Sequence, residues 1–113
     1  MDTFDDVTQQ RLDEALRCIA THVRPVAAYF FGSRAEGRAD QWSDYDIALF
    51  IEGAEAWDIF RLVRFCAEIQ KEAGDDIEVH VFPAYQAENP EPASFASHIL
   101  AHGIRLPLGT MAA

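Results

Sequence analysis

The sequence predicts a small α+β fold, in which a mixed β-sheet of about three strands is flanked by helices. Long segments with apolar residues at three- and four-residue spacing are typical of amphipathic helices. Shorter apolar or alternating runs, bounded by glycine or proline, are typical of strands. These segments follow the order helix, strand, turn, strand, helix, strand, helix. Since half of the 113 residues are apolar, residues 1–113 are expected to form one domain around one core.

The first helix is predicted from Phe4 to His22, with Thr3 as its cap. Its apolar residues form one stripe: Leu12, Ala15, Leu16, Ile19 and Val23. Pro25 cannot continue a helix, so the helix is expected to end before it. Val26–Phe31 is a short apolar run that predicts a buried strand, and Gly32 ends it.

The middle of the chain predicts a turn, a strand and a helix. Ser33–Ser43 is polar and predicts a short helix or turn followed by a loop, and Tyr45–Ile51 predicts the second strand. The second long helix is predicted from Glu55 to Ala73, with Gly74 at its C-terminal cap. Its inward-facing residues are predicted to be Ile59, Leu62, Val63, Cys66, Ile69 and Ala73.

The last third of the chain predicts one more strand and one more helix. Ile77–Phe82 alternates apolar and polar residues, which is typical of a strand with one buried face, and Pro83 ends it. Pro92 is expected to open a helix that runs to about His102 and stops at Gly103. Four phenylalanines fall on core-facing runs and are interpreted as packing residues: Phe30, Phe31, Phe60 and Phe65.

Composition and charge exclude several classes of protein. A formal net charge of −10 argues against direct binding to nucleic acid, and it suits a basic protein partner or a site that collects divalent cations. The N-terminus has no signal-like region, and no stretch is long and apolar enough to span a membrane. Cys18 and Cys66 are isolated, so we expect reduced core residues of a cytoplasmic protein.

A carboxylate pair stands where the second strand begins. Asp44 and Asp46 are two residues apart, so in a strand both side chains project from the same face. Neighbouring carboxylates repel each other, and Mg²⁺ relieves that repulsion because it prefers oxygen ligands from carboxylates and phosphates. The pair therefore predicts a magnesium site, and ordinary loop acidity is the alternative.

A glycine-serine turn lies between the first two strands. Glycine lets the backbone approach a ligand closely, and serine at a helical turn offers a hydroxyl and an amide. Gly32 and Ser33 therefore predict a seat for phosphate, with a simple turn as the alternative. The GxxxxGK[ST] pattern is absent, which excludes a P-loop NTPase.

Together, these features resemble the DNA polymerase β-type nucleotidyltransferase superfamily, and in particular its smallest branch, the minimal nucleotidyltransferase (MNT) proteins. The stretch FGSRAEGRADQWSDYDIALFIEG carries the signature, and IEVHV and FASHILAHGIRL are similar to the family's third acidic strand and closing helix. The resemblance implies a polymerase β-type nucleotidyltransferase fold. It also implies that Gly32 and Ser33 hold the triphosphate and that Asp44 and Asp46 bind two Mg²⁺ ions.

The resemblance assigns the third acidic position to Glu78, where the family more often has aspartate. The strand pattern agrees, because Ile77, Val79 and Val81 would face the core and leave Glu78 and His80 on the opposite face. Glu78 would bind metal or accept a proton from the substrate hydroxyl. Arg34, and also Arg38, would offset phosphate charge, and the alternative is that both are solvated loop residues.

The resemblance implies transfer of a nucleoside monophosphate, AMP from ATP, to a hydroxyl acceptor. Proteins of the MNT branch commonly act as antitoxins with a helical partner of the HEPN type, so the acceptor would be a hydroxyl of that toxin. One alternative is an inactive or weakly active binding module that neutralises its partner stoichiometrically. A second alternative is a nucleotidyltransferase for small molecules such as antibiotics.

Three further residue pairs are interpreted from the residues alone. His98 and His102, like Cys18 and His22, have the four-residue spacing of metal ligands on a helix, although solvated or partner-facing histidines are the favoured interpretation. Trp42 and Tyr45 flank the acidic pair and would stack on a base or, as we favour, pack at the strand entrance.

Overall fold

The computed structural model describes residues 4–109. The helices and strands, in chain order, are α1 (Asp6–Ala20), β1 (Ala27–Phe31), β2 (Tyr45–Ile51), α2 (Ile59–Ala73), β3 (Ile77–Pro83), α3 (Phe95–His102) and β4 (Ile104–Arg105). Two 3-10 turns, Ala54–Ala56 and Ala84–Ala87, connect β2 to α2 and β3 to α3. No helix within residues 4–109 is long and apolar enough to cross a membrane.

The sheet is mixed, as predicted. Its strand order is β3-β2-β1-β4, with β1 antiparallel to both β2 and β4 and with β2 parallel to β3. In β2, every residue except Asp46 is buried, which accounts for its continuous apolar sequence. The fourth strand was not predicted, because a two-residue strand is too short to show an alternating pattern.

Helices cover both faces of the sheet. On one face, the odd-numbered residues of β2 pack with the buried sides of α1 and α2: Tyr45, Ile47, Leu49 and Ile51 against Leu12, Leu16, Ile19, Phe65 and Ile69. On the other face, a smaller cluster joins the sheet to α3: Ala27, Phe31, Ala48, Phe50, Ala96 and Ile99. Asp46 lies on this second face because strand residues alternate.

The helices begin later than predicted, because capping side chains determine where each one starts. Asp5 caps α1 by accepting a hydrogen bond from the Thr8 amide at 2.7 Å. The proposed cap Thr3 lies outside the described residues. Ser94 caps α3 in the same way, so this helix begins at Phe95 rather than at Pro92. Gly103 ends α3, as expected.

The predicted start and inner face of α2 need correction. Asp58 caps this helix, so it begins at Ile59 rather than at Glu55. Its buried residues are Phe65, Ile69 and Ala73, which recur every four positions. Ile59, Phe60 and Val63 lie off that stripe and are exposed, Phe60 to 74%. The prediction that Phe60 packs in the core was therefore wrong, whereas Phe30, Phe31 and Phe65 are core residues.

Candidate active site

Two carboxylates meet where β2 and β3 begin. The parallel register pairs Asp46 with Glu78, and both side chains project from the face of the sheet that carries α3. One carboxylate oxygen of each residue and a ring nitrogen of His80 lie within 4.8 Å of one another. The strand pattern predicted that Glu78 would face Asp46, and the register places it there.

Asp44 completes a group of three carboxylates. It lies one residue before β2 and is exposed. Burial raises the pKa of Glu78, and the negative charges of Asp46 and Asp44 raise it further, whereas His80 lowers it. Burial and the two neighbouring carboxylates thus make it harder for Glu78 to ionise, and a cation among the three acidic groups would reverse the effect of the charges.

His80 belongs to the site, although the sequence assigned it no role. Its Nε2 atom lies 3.1 Å from Oδ1 of Asp46 and 4.0 Å from Oε1 of Glu78. Its ring packs against the rings of Phe31 and Phe95, with centroids 4.9 and 5.8 Å away. The alternation of β3 had placed His80 on the same face as Glu78, and that position was the one available signal.

Gly32 lies directly against Asp46. The antiparallel register pairs Phe31 with Asp46, and the next residue, Gly32, has a φ of +86°. A Cβ atom at Gly32 would overlap Oδ2 of Asp46. Backbone conformation and the close approach of the carboxylate therefore both favour glycine here.

The residues after Gly32 form a turn. The Glu36 amide donates to the Gly32 carbonyl at 3.0 Å, and the Arg38 amide donates to the Ser33 carbonyl at 2.8 Å. This agrees with the predicted turn and loop. Ser33 directly follows Gly32 in this turn, and the binding of phosphate by these two residues stays a prediction.

The two arginines of this loop have other partners in the structure. The Arg34 guanidinium donates to the carbonyl of Ser43 at 2.7 Å and lies 4.4 Å from the centre of the Tyr45 ring. Tyr45 packs on the face of the sheet opposite to Asp46, so Arg34 holds the loop from that side. Arg38 is exposed and pairs with Glu36 at 3.2 Å. Phosphate binding by Arg34 stays a prediction.

Comparison with known proteins identifies the family. The sequence profile described as "Polymerase beta, Nucleotidyltransferase" matches residues 14–107, which is more than half of the chain. The chain belongs to this nucleotidyltransferase family. The predicted resemblance to an MNT-type member of the polymerase β-like superfamily is therefore confirmed, and membership supports a nucleotidyl-transfer function.

Other comparisons add little to the family match. A protein from Sulfolobus solfataricus, provisionally described as a nucleotidyltransferase, has a solved structure that aligns with a TM-score of 0.49. It is 17% identical in sequence, and the alignment covers 76% of this chain and 81% of that one. No protein of curated function matches the sequence.

The donor atoms of this nucleotidyltransferase fit a divalent cation. Asp46 and Glu78 offer carboxylate oxygens, which are the ligands that Mg²⁺ and Mn²⁺ prefer, and the mutual repulsion of the acidic groups favours a positive ion. The structure places the carboxylates of Asp46 and Glu78 beside each other. The metal role of Asp44, Asp46 and Glu78 stays a prediction.

The site lies on the surface: Asp44 is exposed, and the Glu78 side chain is 47% exposed. A cavity of about 350 Å³ is lined by residues of both strand ends, among them Val26, Gly53 and Arg105. It lies at the opposite end of β1 and β2 from Gly32, so it does not extend the carboxylate group. Because the Glu78 side chain is half-exposed, a nucleotide at the carboxylates would remain open to solvent or to a partner.

The flanking aromatic residues differ in their environment. Tyr45 is buried and stacks on Phe30, as the packing interpretation predicted. Trp42 is 81% exposed, so that interpretation was wrong for Trp42. Its indole is accessible at the rim of the loop, where stacking on a base remains a prediction.

The two pairs with metal-ligand spacing also differ. His98 and His102 are exposed on α3, with ring centroids 4.6 Å apart. Cys18 and His22 meet Glu72 of α2, and one ligand atom from each lies within 4.8 Å of the other two. His22 Nε2 is 2.7 Å from Glu72, and burial raises the pKa of the Cys18 thiol.

Proposed function

We propose that this nucleotidyltransferase moves AMP from ATP onto a hydroxyl group of a helical, HEPN-type partner protein, with Mg²⁺, and acts as the antitoxin of that partner. The observation that supports the proposal best is the meeting of Asp46, Glu78 and Gly32 at one corner of the sheet. This corner combines carboxylates suited to bind a metal ion with a glycine turn suited to approach phosphate. The identity of the partner rests on the resemblance to the MNT branch.

In the proposed reaction, the acceptor oxygen forms a bond to the α-phosphorus of ATP. The bond from that phosphorus to the bridging oxygen breaks in line, and pyrophosphate leaves. Gly32 and Ser33 would hold the triphosphate through backbone amides and the serine hydroxyl. Asp44 and Asp46 would hold the metal ions. Two bound Mg²⁺ ions would supply positive charge at the attacking and departing oxygens.

Glu78 is suited to take the proton of the attacking hydroxyl. A general base must lie within hydrogen-bond reach of the proton that it takes. The carboxylate of Glu78 lies beside Asp46, where the α-phosphorus would be held. The same residue could instead serve as a third metal ligand, and the pH dependence of transfer separates the two roles.

A protein acceptor suits the open geometry of the site. The carboxylates lie on the surface, where Asp44 is exposed and the Glu78 side chain is 47% exposed. A small acceptor would therefore find little enclosure, whereas a partner protein could cover the site and supply its own hydroxyl. The net charge of −10 favours a partner with a basic surface.

A second candidate function is stoichiometric neutralisation of the partner without turnover. The observation that favours it is the exposed apolar surface of α2, formed by Ile59, Phe60 and Val63, since such patches mark protein interaction sites. Glu78, one methylene longer than the aspartate more common in the family, also favours weak catalysis. A misplacement of about 1 Å can lower a rate about a hundredfold.

One experiment with the proposed partner protein distinguishes the two functions. The protein is incubated with the partner, Mg²⁺ and ATP labelled at the α-phosphorus, beside an Asp44→Ala/Asp46→Ala variant. Label on the partner with the wild type alone supports transfer. Inhibition of the partner by both proteins, with no label on it, would overturn transfer and support neutralisation.

A further inference from the structure

We propose that His80 is a ligand of the metal centre and that the centre consequently prefers a first-row transition-metal dication, such as Mn²⁺, to Mg²⁺. The inference rests on the metal site of the proposed function, but it concerns binding of the ion alone. It does not require that a nucleotide be transferred.

The imidazole of His80 lies where an ion held by the carboxylates would be. Its Nε2 atom is 3.1 Å from Oδ1 of Asp46 and 4.0 Å from Oε1 of Glu78. One donor atom of each of the three residues lies within 4.8 Å of the other two. A single ion placed between the carboxylates would therefore be within ligand distance of this nitrogen.

The ring is held in this position by its neighbours. His80 lies opposite Ala48 in the register of β2 and β3, and the small alanine side chain leaves space on that face. The rings of Phe31 and Phe95 contact the imidazole edge-on at centroid distances of 4.9 and 5.8 Å. The side chain is three-quarters buried, so little conformational entropy remains to be lost on binding an ion.

The type of donor determines which ion is favoured. Mg²⁺ takes oxygen ligands and keeps several of its waters, so an imidazole adds little to its affinity. The affinity of a site with nitrogen and oxygen donors rises from Mn²⁺ through Fe²⁺, Co²⁺ and Ni²⁺ to Cu²⁺, and imidazole suits the later ions best. The set Asp46, Glu78 and His80 therefore favours a first-row transition-metal dication over Mg²⁺, and Mn²⁺, the weakest binder of the series, is its most stringent probe.

The direct test is the electron spin-echo spectrum of bound Mn²⁺ without nucleotide. Measurements use a Cys18→Ser/His22→Gln/His98→Gln/His102→Gln background. Within residues 4–109, Cys18 and His22 form a second group of potential ligands with Glu72, and the rings of His98 and His102 lie 4.6 Å apart. A nitrogen coupling to Mn²⁺ is expected, and it should change when histidine is labelled with the heavier nitrogen isotope. The absence of nitrogen coupling at saturating Mn²⁺ would overturn the inference.

The second test compares Mn²⁺ and Mg²⁺ affinities by titration calorimetry. Gln retains a hydrogen bond to Asp46 but is a poor metal ligand, so His80→Gln should weaken Mn²⁺ binding about tenfold or more and Mg²⁺ binding by less than about threefold. His98→Gln, on the exposed face of α3, should change neither. Equal loss for both ions would indicate that His80 only positions Asp46, and it would overturn the proposal.

The tests distinguish this inference from the proposed function. If bound Mn²⁺ shows nitrogen coupling but the protein transfers no nucleotide, the metal assignment is supported and the proposed function is overturned. If the protein transfers nucleotide but its bound Mn²⁺ has no nitrogen ligand, the proposed function is supported and the metal assignment is overturned. If His80→Gln fails to fold, the spectrum of the histidine-containing protein still decides.

Discussion

Replacing Gly32 with alanine tests whether the turn shapes the metal site. Gly32 has a φ of +86°, and a Cβ atom there would overlap Oδ2 of Asp46. Two other glycines supply matched controls. Gly37 and Gly53 have φ values of +74° and +78°, and a Cβ atom at either would meet no atom within 4 Å. The three alanine variants therefore share the backbone strain, and only Gly32→Ala adds the contact with the carboxylate.

Two contributions determine the loss of stability in these variants: the backbone strain at positive φ and, in Gly32→Ala alone, the contact with Asp46. An alanine in the left-handed region costs about 1–2 kcal/mol. Unfolding entropy of about 2.1 cal/mol/K per residue, over 113 residues, converts 1 kcal/mol into about 4 °C of Tm. Gly37→Ala and Gly53→Ala should thus lower the Tm by about 4–8 °C. In Gly32→Ala, forcing the Asp46 side chain off its rotamer adds about 0.5–1.5 kcal/mol.

The decisive readout is function measured beside stability. Differential scanning calorimetry gives the Tm of each variant, calorimetric titration gives Mn²⁺ affinity, and labelled ATP gives the transfer rate. Because Asp46 must move in Gly32→Ala, its Mn²⁺ affinity should fall about tenfold or more and its transfer rate about a hundredfold. If Gly32→Ala matches Gly53→Ala in Mn²⁺ affinity, Gly32 does not shape the site and the reasoning fails.

Three other predictions concern stability. Phe65 is 6% exposed and Phe60 is 74% exposed. In urea unfolding, Phe65→Ala should therefore lower the free energy of unfolding by about 3–5 kcal/mol, and Phe60→Ala should lower it by less than about 0.5 kcal/mol. Similar decreases in the two variants would contradict the orientation of α2. Arg11→Met removes charged hydrogen bonds to Asp76 at 3.1 Å and should lower the free energy of unfolding by about 1.5–3 kcal/mol; an unchanged urea midpoint would refute this. Burial raises the pKa of Glu78 in the folded protein above its ordinary value of 4.5. Without metal, the Tm of the wild type should therefore fall relative to that of Glu78→Gln as the pH rises from this ordinary value through the pKa of the folded protein. Parallel Tm profiles of the two proteins would refute this prediction.

The strands could be predicted from the sequence because burial determines their composition. β2 was predicted from Tyr45 to Ile51, and the structure has the same bounds. Both of its faces are covered, so an unbroken apolar run marks it. β4 could not be predicted, because a strand of two residues is too short to show an alternating pattern.

The helix starts were placed too early, although the sequence contains the signals that correct them. Asp5, Asp58 and Ser94 are residue types that cap helices, and each accepts an amide hydrogen bond from the first turn. The inner face of α2 is a different matter. Its first half carries apolar residues on two sides, and only the packing against the sheet determines that Phe65 points inward and Phe60 outward.

The site was partly predictable for the same reason. Strand alternation put Asp46 on one face of β2 and Glu78 on one face of β3, and pairing of those strands brought them together. His80 was on the predicted face, but its approach to Asp46 depends on the ring contacts with Phe31 and Phe95. Glu72 reaches His22 only because α1 packs on α2, and no local pattern encodes that contact.

The most direct test of nucleotidyl transfer follows the two ends of ATP separately. The protein, Mg²⁺ or Mn²⁺ and the partner are supplied with ATP labelled at either the α- or the γ-phosphorus. The α-label should stay on the partner and the γ-label should leave as pyrophosphate, with neither result in Asp44→Ala/Asp46→Ala. Label from the γ-phosphorus on the partner, or no α-label on it with either metal, would contradict the account.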